Sequence, residues 1–101
     1  MRATGWSNGQ ARGSGAGYRI RISAGDRDRW FKQSWSHVVI ELDDDEAAEV
    51  PLSASFWASC TELRSVTIGR WLLRRNLAPW PNRKPPTLTL RPLSGNRFQL
   101  D

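Results

Sequence analysis

The sequence predicts an α+β fold, in which a small antiparallel sheet is covered on one face by a helical segment over residues 54–77. Two early segments alternate apolar and polar residues, as half-buried strands do. A helical segment follows them, and a glycine-centred hairpin pattern lies near residue 95. The predicted order is therefore strand, strand, one or two helices, strand, strand.

The first predicted strand spans residues 18–24, where apolar residues alternate with Arg19, Arg21 and Ser23. The second spans residues 35–42 and is rich in β-branched residues. The connection between them is too short for a comfortable crossover, so the two strands are predicted to pair antiparallel.

Residues 1–17 hold five of the eight glycines and few bulky apolar groups. This composition predicts a flexible Gly/Ser-rich tail, because such a segment buries too little apolar surface to offset its ordering entropy. Residues 18–101 then form the single α+β domain.

The helical segment 54–77 begins after Ser53 and Ser55, which are both good N-caps. On one continuous helix its apolar residues would lie on several sides rather than in one stripe. Two helices joined near Ser65 would give each helix a single apolar face. The alternative is one long helix that is buried on more than one side. Four prolines in residues 77–86 then predict an extended connector.

A predicted hairpin follows the connector, with its loop at residues 94–96. A three-residue loop would pair Leu90 with Leu100 and Pro92 with Phe98, which places apolar residues on one face. A two-residue loop would mix the faces, so the three-residue loop is expected.

Charge is segregated along the chain. The stretch from Leu63 to Leu100 carries eight basic residues and no acidic one, whereas residues 41–49 carry six carboxylates. Thirteen of the fifteen basic residues are arginines, whose guanidinium groups form bidentate pairs with phosphate. With a net charge of +5, this pattern favours a polyanion, most commonly nucleic acid, as the partner.

Residues 65–77 combine a serine cap, a Thr-Ile pair, an Arg-Trp-Leu run and a basic end. This segment resembles the recognition helix of helix-turn-helix domains in transposases and repressors. The resemblance implies contacts to base edges and backbone phosphates. The implied residues are Ser65, Thr67, Arg70, Arg74 and Arg75. The alternative is a core helix whose charged face is solvated.

Further basic residues are predicted to extend the same nucleic-acid-binding face. They are Arg64, Arg83, Lys84, Arg91 and Arg97. Trp80, which lies between two prolines, could stack on an unpaired base. The alternative is that its ring anchors the connector on the core.

The sequence offers no constellation for catalysis, a metal or a cofactor. Its single cysteine excludes an internal disulfide and a cysteine-based zinc site, and its single histidine accompanies no nucleophile motif. The acidic run 43–46 lacks the ligand spacing of a calcium loop. Because no catalytic constellation is present, we expect that the protein is not an enzyme. No apolar run reaches membrane-spanning length, so we expect a cytoplasmic protein that does not enter a membrane.

The leading hypothesis is a small nucleic-acid-binding protein, directed at DNA and accessory to a mobile element, that acts by arginine–phosphate contacts. The alternative is a protein-interaction module or a homodimer without catalytic activity, in which the acidic loop of one protomer meets the basic face of another. A third hypothesis is a small ribonuclease, for which no set of residues stands out.

Overall fold

The computed structural model describes residues 1–9, 13–43, 45–81 and 83–101, and this part of the chain contains seven strands and three helices. In chain order they are β1 (Arg2–Ser7), β2 (Tyr18–Arg21), α1 (Ala24–Trp30), β3 (His37–Glu41), β4 (Ala47–Pro51), α2 (Ala54–Ala58), β5 (Glu62–Arg64), α3 (Val66–Arg74), β6 (Thr87–Pro92) and β7 (Arg97–Leu100). The α+β class predicted from the sequence is confirmed.

All seven strands belong to one mixed sheet with the order β4-β3-β7-β6-β1-β2-β5. The sheet is nearly closed like a barrel, since its two edge strands β4 and β5 approach each other. The predicted small antiparallel sheet is only partly matched, because β3 and β7 run parallel and the sheet is larger than predicted.

The predicted pairing of the first two strands was wrong. β2 pairs with β1 and β5, whereas β3 pairs with β4 and β7. Helix α1, which Ser23 caps by accepting a hydrogen bond from the backbone N–H of Asp26, lies between β2 and β3. The connection is therefore long enough to carry the chain to the other half of the sheet.

The prediction of a flexible tail was wrong for Arg2–Ser7, which form the central strand β1. This strand pairs antiparallel with β2 on one side and with β6 on the other. Gly15 is also buried, packed against α3. Residues 10–12 of the predicted tail lie outside the described residues.

The helical segment 54–77 consists of two helices, in agreement with the two-helix alternative, but β5 lies between them. Ser53 caps α2 and Ser65 caps α3, as the sequence indicated. The two helices of a helix-turn-helix unit are joined by a turn. Because the strand β5 lies between α2 and α3, these helices do not form a helix-turn-helix unit. Helix α3 instead packs against β2 and β4 and buries Ile68, Trp71 and Leu72.

The hairpin register was predicted correctly. Leu90 pairs with Leu100, Pro92 pairs with Phe98, and residues 94–96 form the loop. This register directs Leu90, Phe98 and Leu100 to the interior, where each is at most 1% exposed.

The core fills the interior of the sheet, and the helices lie at its two ends. Helix α3 lies at the end where β2 begins. Helices α1 and α2 meet at the opposite end, where Phe31 stacks on Phe98 with 4.7 Å between ring centroids and contacts Phe56 at 5.3 Å. The outward side chains of β1 and β2 include Arg2 and Arg21, which are exposed. No helix within the described ranges is long and apolar enough to cross a membrane.

Candidate nucleic-acid interface

The outer surface of four neighbouring antiparallel strands, β6, β1, β2 and β5, carries a concentration of arginine. Side chains of a strand alternate between its two faces, so the residues between the buried positions point outward. The outward residues of β1, β2 and β5 that we call the basic sheet face are Arg2, Trp6, Arg19, Arg21 and Arg64.

The pairing of the strands places three of these residues side by side. Trp6 lies opposite Arg19 on β2, and Arg19 lies opposite Arg64 on β5. In the adjacent row, Thr4 lies opposite Arg21. The register of the sheet thus determines which of these side chains are neighbours. Arg19, Arg21 and Arg64 lie on hydrogen-bonded strands rather than on a loop.

Glu62 lies among the arginines as a buried carboxylate, with a side chain only 4% exposed. Arg19 Nη1 donates to its Oε1 at 3.0 Å, and Arg21 Nη2 donates to its Oε2 at 2.8 Å. Arg64 Nε lies 3.5 Å from Oε1. Three arginines therefore surround one carboxylate. Arg2 on β1 adds a fourth guanidinium group to the basic sheet face, so four positive charges and one negative charge leave a surplus of three.

The charge of Glu62 is maintained by these neighbours. Burial by itself raises the pKa of the carboxyl, but the hydrogen bonds from Arg21 and Arg19 and their positive charges outweigh it. The pKa of Glu62 therefore lies below its ordinary value, and the carboxylate is ionised at neutral pH.

Trp6 holds the same two arginines from the other side. The guanidinium carbon of Arg19 lies 4.9 Å from the indole ring centre, and that of Arg21 lies 5.1 Å from it. Both distances are within the range of cation–π attraction. Two guanidinium groups are thus fixed between an indole and a carboxylate, which lowers the entropy that they lose on binding an anion.

A cavity of about 290 Å³ opens at the edge of the basic sheet face, between β2, the preceding loop and the junction of β5 with α3. Its lining residues are Ala16, Gly17, Tyr18, Arg19, Arg64, Ser65 and Val66. Gly15 and Gly69 allow the loop to lie directly on α3, because a Cβ on Gly69 would lie 1.9 Å from the carbonyl oxygen of Gly15. This close backbone contact positions one wall of the cavity.

Two of the arginines predicted to contact phosphates lie at the other end of α3, against the acidic loop. Arg74 Nη2 pairs with Glu46 at 2.5 Å, and Arg75 Nη1 pairs with Asp43 at 2.5 Å. Asp43 also accepts a hydrogen bond from Trp71 Nε1 at 3.1 Å. The hydrogen bond from Arg75 holds the pKa of Asp43 below its ordinary value. The charges of both arginines are therefore already compensated within the chain.

The hairpin arginines also have acidic neighbours. Arg97 Nε donates to Glu41 at 3.1 Å, and Arg91 lies 3.8 Å from Asp101. The remaining predicted cations are exposed and have no ion pair among the described residues. They are Arg70, Arg83 and Lys84.

The uncharged members of the predicted site have structural contacts. Ser65 Oγ accepts the backbone N–H of Thr67 at 3.1 Å, which caps α3. Trp80 is partly buried and packs on Tyr18, with 5.4 Å between the ring centroids. This contact agrees with the alternative that the ring anchors the connector.

Of the predicted nucleic-acid-binding residues, Arg64 belongs to the basic sheet face and Ser65 lines the adjoining cavity, while the other predicted residues lie elsewhere. Sequence reasoning missed Arg2, Trp6, Arg19 and Arg21. The alternation over residues 18–24 does place Arg19 and Arg21 on one face, but their partners on β1 were assigned to a tail.

No known protein family, no curated protein and no solved structure matches this chain. Within the described ranges, no three His, Cys, Asp or Glu side chains are grouped as they would be around a metal ion. The basic sheet face is therefore the feature of the molecule that points to a function.

Proposed function

We propose that this protein binds nucleic acid, with the basic sheet face lying along the phosphate backbone. The observation that supports the proposal is the surplus of three positive charges on β1, β2 and β5. Three arginines surround the single carboxylate of Glu62, and Arg2 adds a fourth positive charge on β1. Arginine is suited to this role because its planar guanidinium group can form two parallel hydrogen bonds with a phosphate.

The proposed role is binding rather than catalysis. The basic sheet face presents guanidinium groups and an indole, and its carboxylate is already bound by Arg19 and Arg21. A surface of this kind neutralises phosphates and releases counterions, and each neutralised phosphate contributes about 0.9 to the magnitude of the salt slope on duplex DNA. Three uncompensated charges correspond to a slope of about 2.7 in magnitude.

This proposal moves the interface from the C-terminal half of the chain to β1, β2 and β5. The ion pairs of Arg74 and Arg75 support the change, because each of these arginines has a carboxylate of its own. On the basic sheet face, by contrast, three arginines share the single carboxylate of Glu62. The same pairs weaken the homodimer alternative, since two carboxylates of the acidic loop already have partners within the chain.

The experiment compares the double variant Arg21→Gln/Arg64→Gln with the unaltered chain in titrations of duplex DNA at several salt concentrations. Both side chains are about half exposed, so removing their charges should leave the core intact. The affinity should fall, and the magnitude of the salt slope should decrease by about 1.8.

A matched control removes two charges elsewhere, in Arg29→Gln/Lys32→Gln. Both residues are exposed and lie outside the basic sheet face. The slope should then stay within error of that of the unaltered chain. If both double variants lose the same affinity for duplex DNA, the effect comes from net charge alone and not from the basic sheet face. If Arg74→Gln/Arg75→Gln loses more affinity than Arg21→Gln/Arg64→Gln, the binding site lies at α3.

A further inference from the structure

The cavity beside the basic sheet face has walls of two different kinds. Arg19 and Arg64 bring positive charge from the face itself, whereas Ala16 and Val66 add apolar surface. A ligand that fits such walls has an anionic part joined to a flat or compact apolar part.

Val66 is the apolar group that packing does not explain. It is 46% exposed, and within the described part of the chain only one other large apolar side chain, that of Trp30, is exposed to a similar extent. Val66 is the first residue of α3. Of the other large apolar side chains of this helix, Ile68, Trp71 and Leu72 are buried and Leu73 is partly buried. The fold therefore does not require an apolar residue at position 66.

The arginine at the boundary of the cavity retains an unused donor. Within the described ranges, Arg19 Nε is buried and has no hydrogen-bond partner, although Arg19 Nη1 is bound to Glu62. A buried donor without an acceptor destabilises the folded chain. A small shift of the guanidinium group toward an anion would remove this destabilisation.

We propose that the cavity receives one unpaired nucleotide of the nucleic acid bound on the basic sheet face. Its base lies against Val66 and Ala16, and its phosphate is bound by Arg64 and Arg19. This inference depends on the proposed function and specifies the strand state, because a base held in a duplex stack cannot enter the cavity, whereas the base of a single strand or of a frayed end can.

The size of the cavity agrees with this occupant. At about 290 Å³ it lies at the lower limit of small-molecule sites, which span about 300–1,000 Å³. The cavity is also continuous with the phosphate-binding surface, since Arg19 and Arg64 belong to both.

The test uses a fluorescein-labelled oligodeoxythymidine of about 12 nucleotides and a duplex of the same length, within the range of known single-strand sites. The unaltered chain should bind the single strand about tenfold more tightly than the duplex, since burial of about 55 Å² of apolar base surface contributes a factor of this order. The variant Val66→Trp should fill the cavity and abolish this preference, with the duplex affinity unchanged. The control Ser94→Trp, in the exposed loop of the hairpin, should retain the preference.

A second measurement does not depend on the folding of a variant. In NMR spectra of the unaltered chain, the methyl signals of Val66 and Ala16 should shift on addition of thymidine 5′-monophosphate. Inorganic phosphate should leave these signals in place, because it offers no base to the apolar wall.

The outcomes separate this inference from the proposed function. If neither the single strand nor the duplex binds, the proposed function fails. If both bind with equal affinity, or if Val66→Trp leaves the preference intact, the cavity is not a nucleotide site while the basic sheet face remains a phosphate-binding surface. If inorganic phosphate shifts the methyl signals as much as thymidine 5′-monophosphate does, the base does not lie against Val66 and Ala16, and the inference is wrong.

Discussion

Glu62 determines how the arginines of the basic sheet face are arranged. It is the one charged residue of the described chain that is classed as buried, and its two carboxylate oxygens face arginines from β2 and β5. Without it, three guanidinium groups would repel one another on adjacent strands, where like charges directly opposite are destabilising. The carboxylate therefore allows a dense positive surface to form before any ligand binds.

The substitution Glu62→Gln should destabilise the fold by about 1–3 kcal/mol at neutral pH, because it replaces two charge-assisted hydrogen bonds by weaker ones. The effect should depend on pH in a defined direction. The pKa of Glu62 is lowered in the folded state, so its contribution is fully present above the ordinary value of 4.5. That contribution is lost as the pH falls below 4.5 and through the lower folded value.

Urea unfolding at pH 7 and at acid pH measures this prediction. The gap in the free energy of unfolding between the unaltered chain and Glu62→Gln should narrow as the pH falls below 4.5. Glu49→Gln is the control, because Glu49 is exposed on β4, and its effect should stay within about 0.5 kcal/mol. A gap that stays constant down to acid pH would contradict the ionic role of Glu62.

At the scale of elements, the contact between Gly15 and Gly69 fixes the position of α3 relative to β2. The two backbones approach so closely that a Cβ on Gly69 would lie 1.9 Å from the Gly15 carbonyl oxygen and 2.7 Å from its carbonyl carbon. These are backbone atoms, so no side chain can rotate away to make room. Gly15 also has a φ of +97°, which favours glycine.

Gly69→Ala should therefore destabilise the protein by about 2 kcal/mol or more, at the upper end of the cost of overpacking, even though alanine is the better helix former. Gly25→Ala is a matched control in α1, where the nearest atom to an added Cβ is 3.9 Å away. That variant should be neutral or more stable by up to about 1 kcal/mol. Thermal unfolding of both variants measures these changes in stability. If Gly69→Ala is as stable as the unaltered chain, α3 can move away from Gly15 and the prediction is wrong.

Features that depend on local periodicity were predictable from the sequence. The register of the hairpin and the buried face of α3 both follow from the spacing of apolar residues within a short segment. Strand β1 was missed because its inward residues, Ala3 and Gly5, are too small to mark an apolar face. Gly5 is required there, since a Cβ would lie 2.9 Å from the ring of Pro86.

The parallel pairing of β3 with β7 was not predictable in the same way, because the two strands are more than 50 residues apart and no local pattern links them. Strand β5 has only three residues and lies between two helices, so its sequence resembles a helical junction. Elements of this kind are defined by their partners rather than by their own periodicity.

At the scale of the whole molecule, segregation of charge along the chain does not become segregation in space. The acidic loop folds onto the basic end of α3, where Asp43 and Glu46 bind Arg75 and Arg74. A surplus of three positive charges instead arises on β1, β2 and β5, whose arginines come from both halves of the chain. For this reason composition leads only to a prediction of the class of partner, whereas the position of the proposed interface depends on how the strands pair.

The final prediction concerns the footprint of a bound nucleic acid on the whole surface. Amide signals of β1, β2 and β5 should shift in NMR titrations with a short oligonucleotide, since these strands carry the uncompensated charge. Signals of β3, β4 and the acidic loop should shift little, because the arginines near them are paired with Glu41, Glu46 and Asp43. Raising the salt concentration should reverse the shifts together, as expected when phosphate neutralisation supplies the affinity. Shifts spread evenly over both sides of the sheet, or centred on the C-terminal end of α3, would show that the basic sheet face is not the interface.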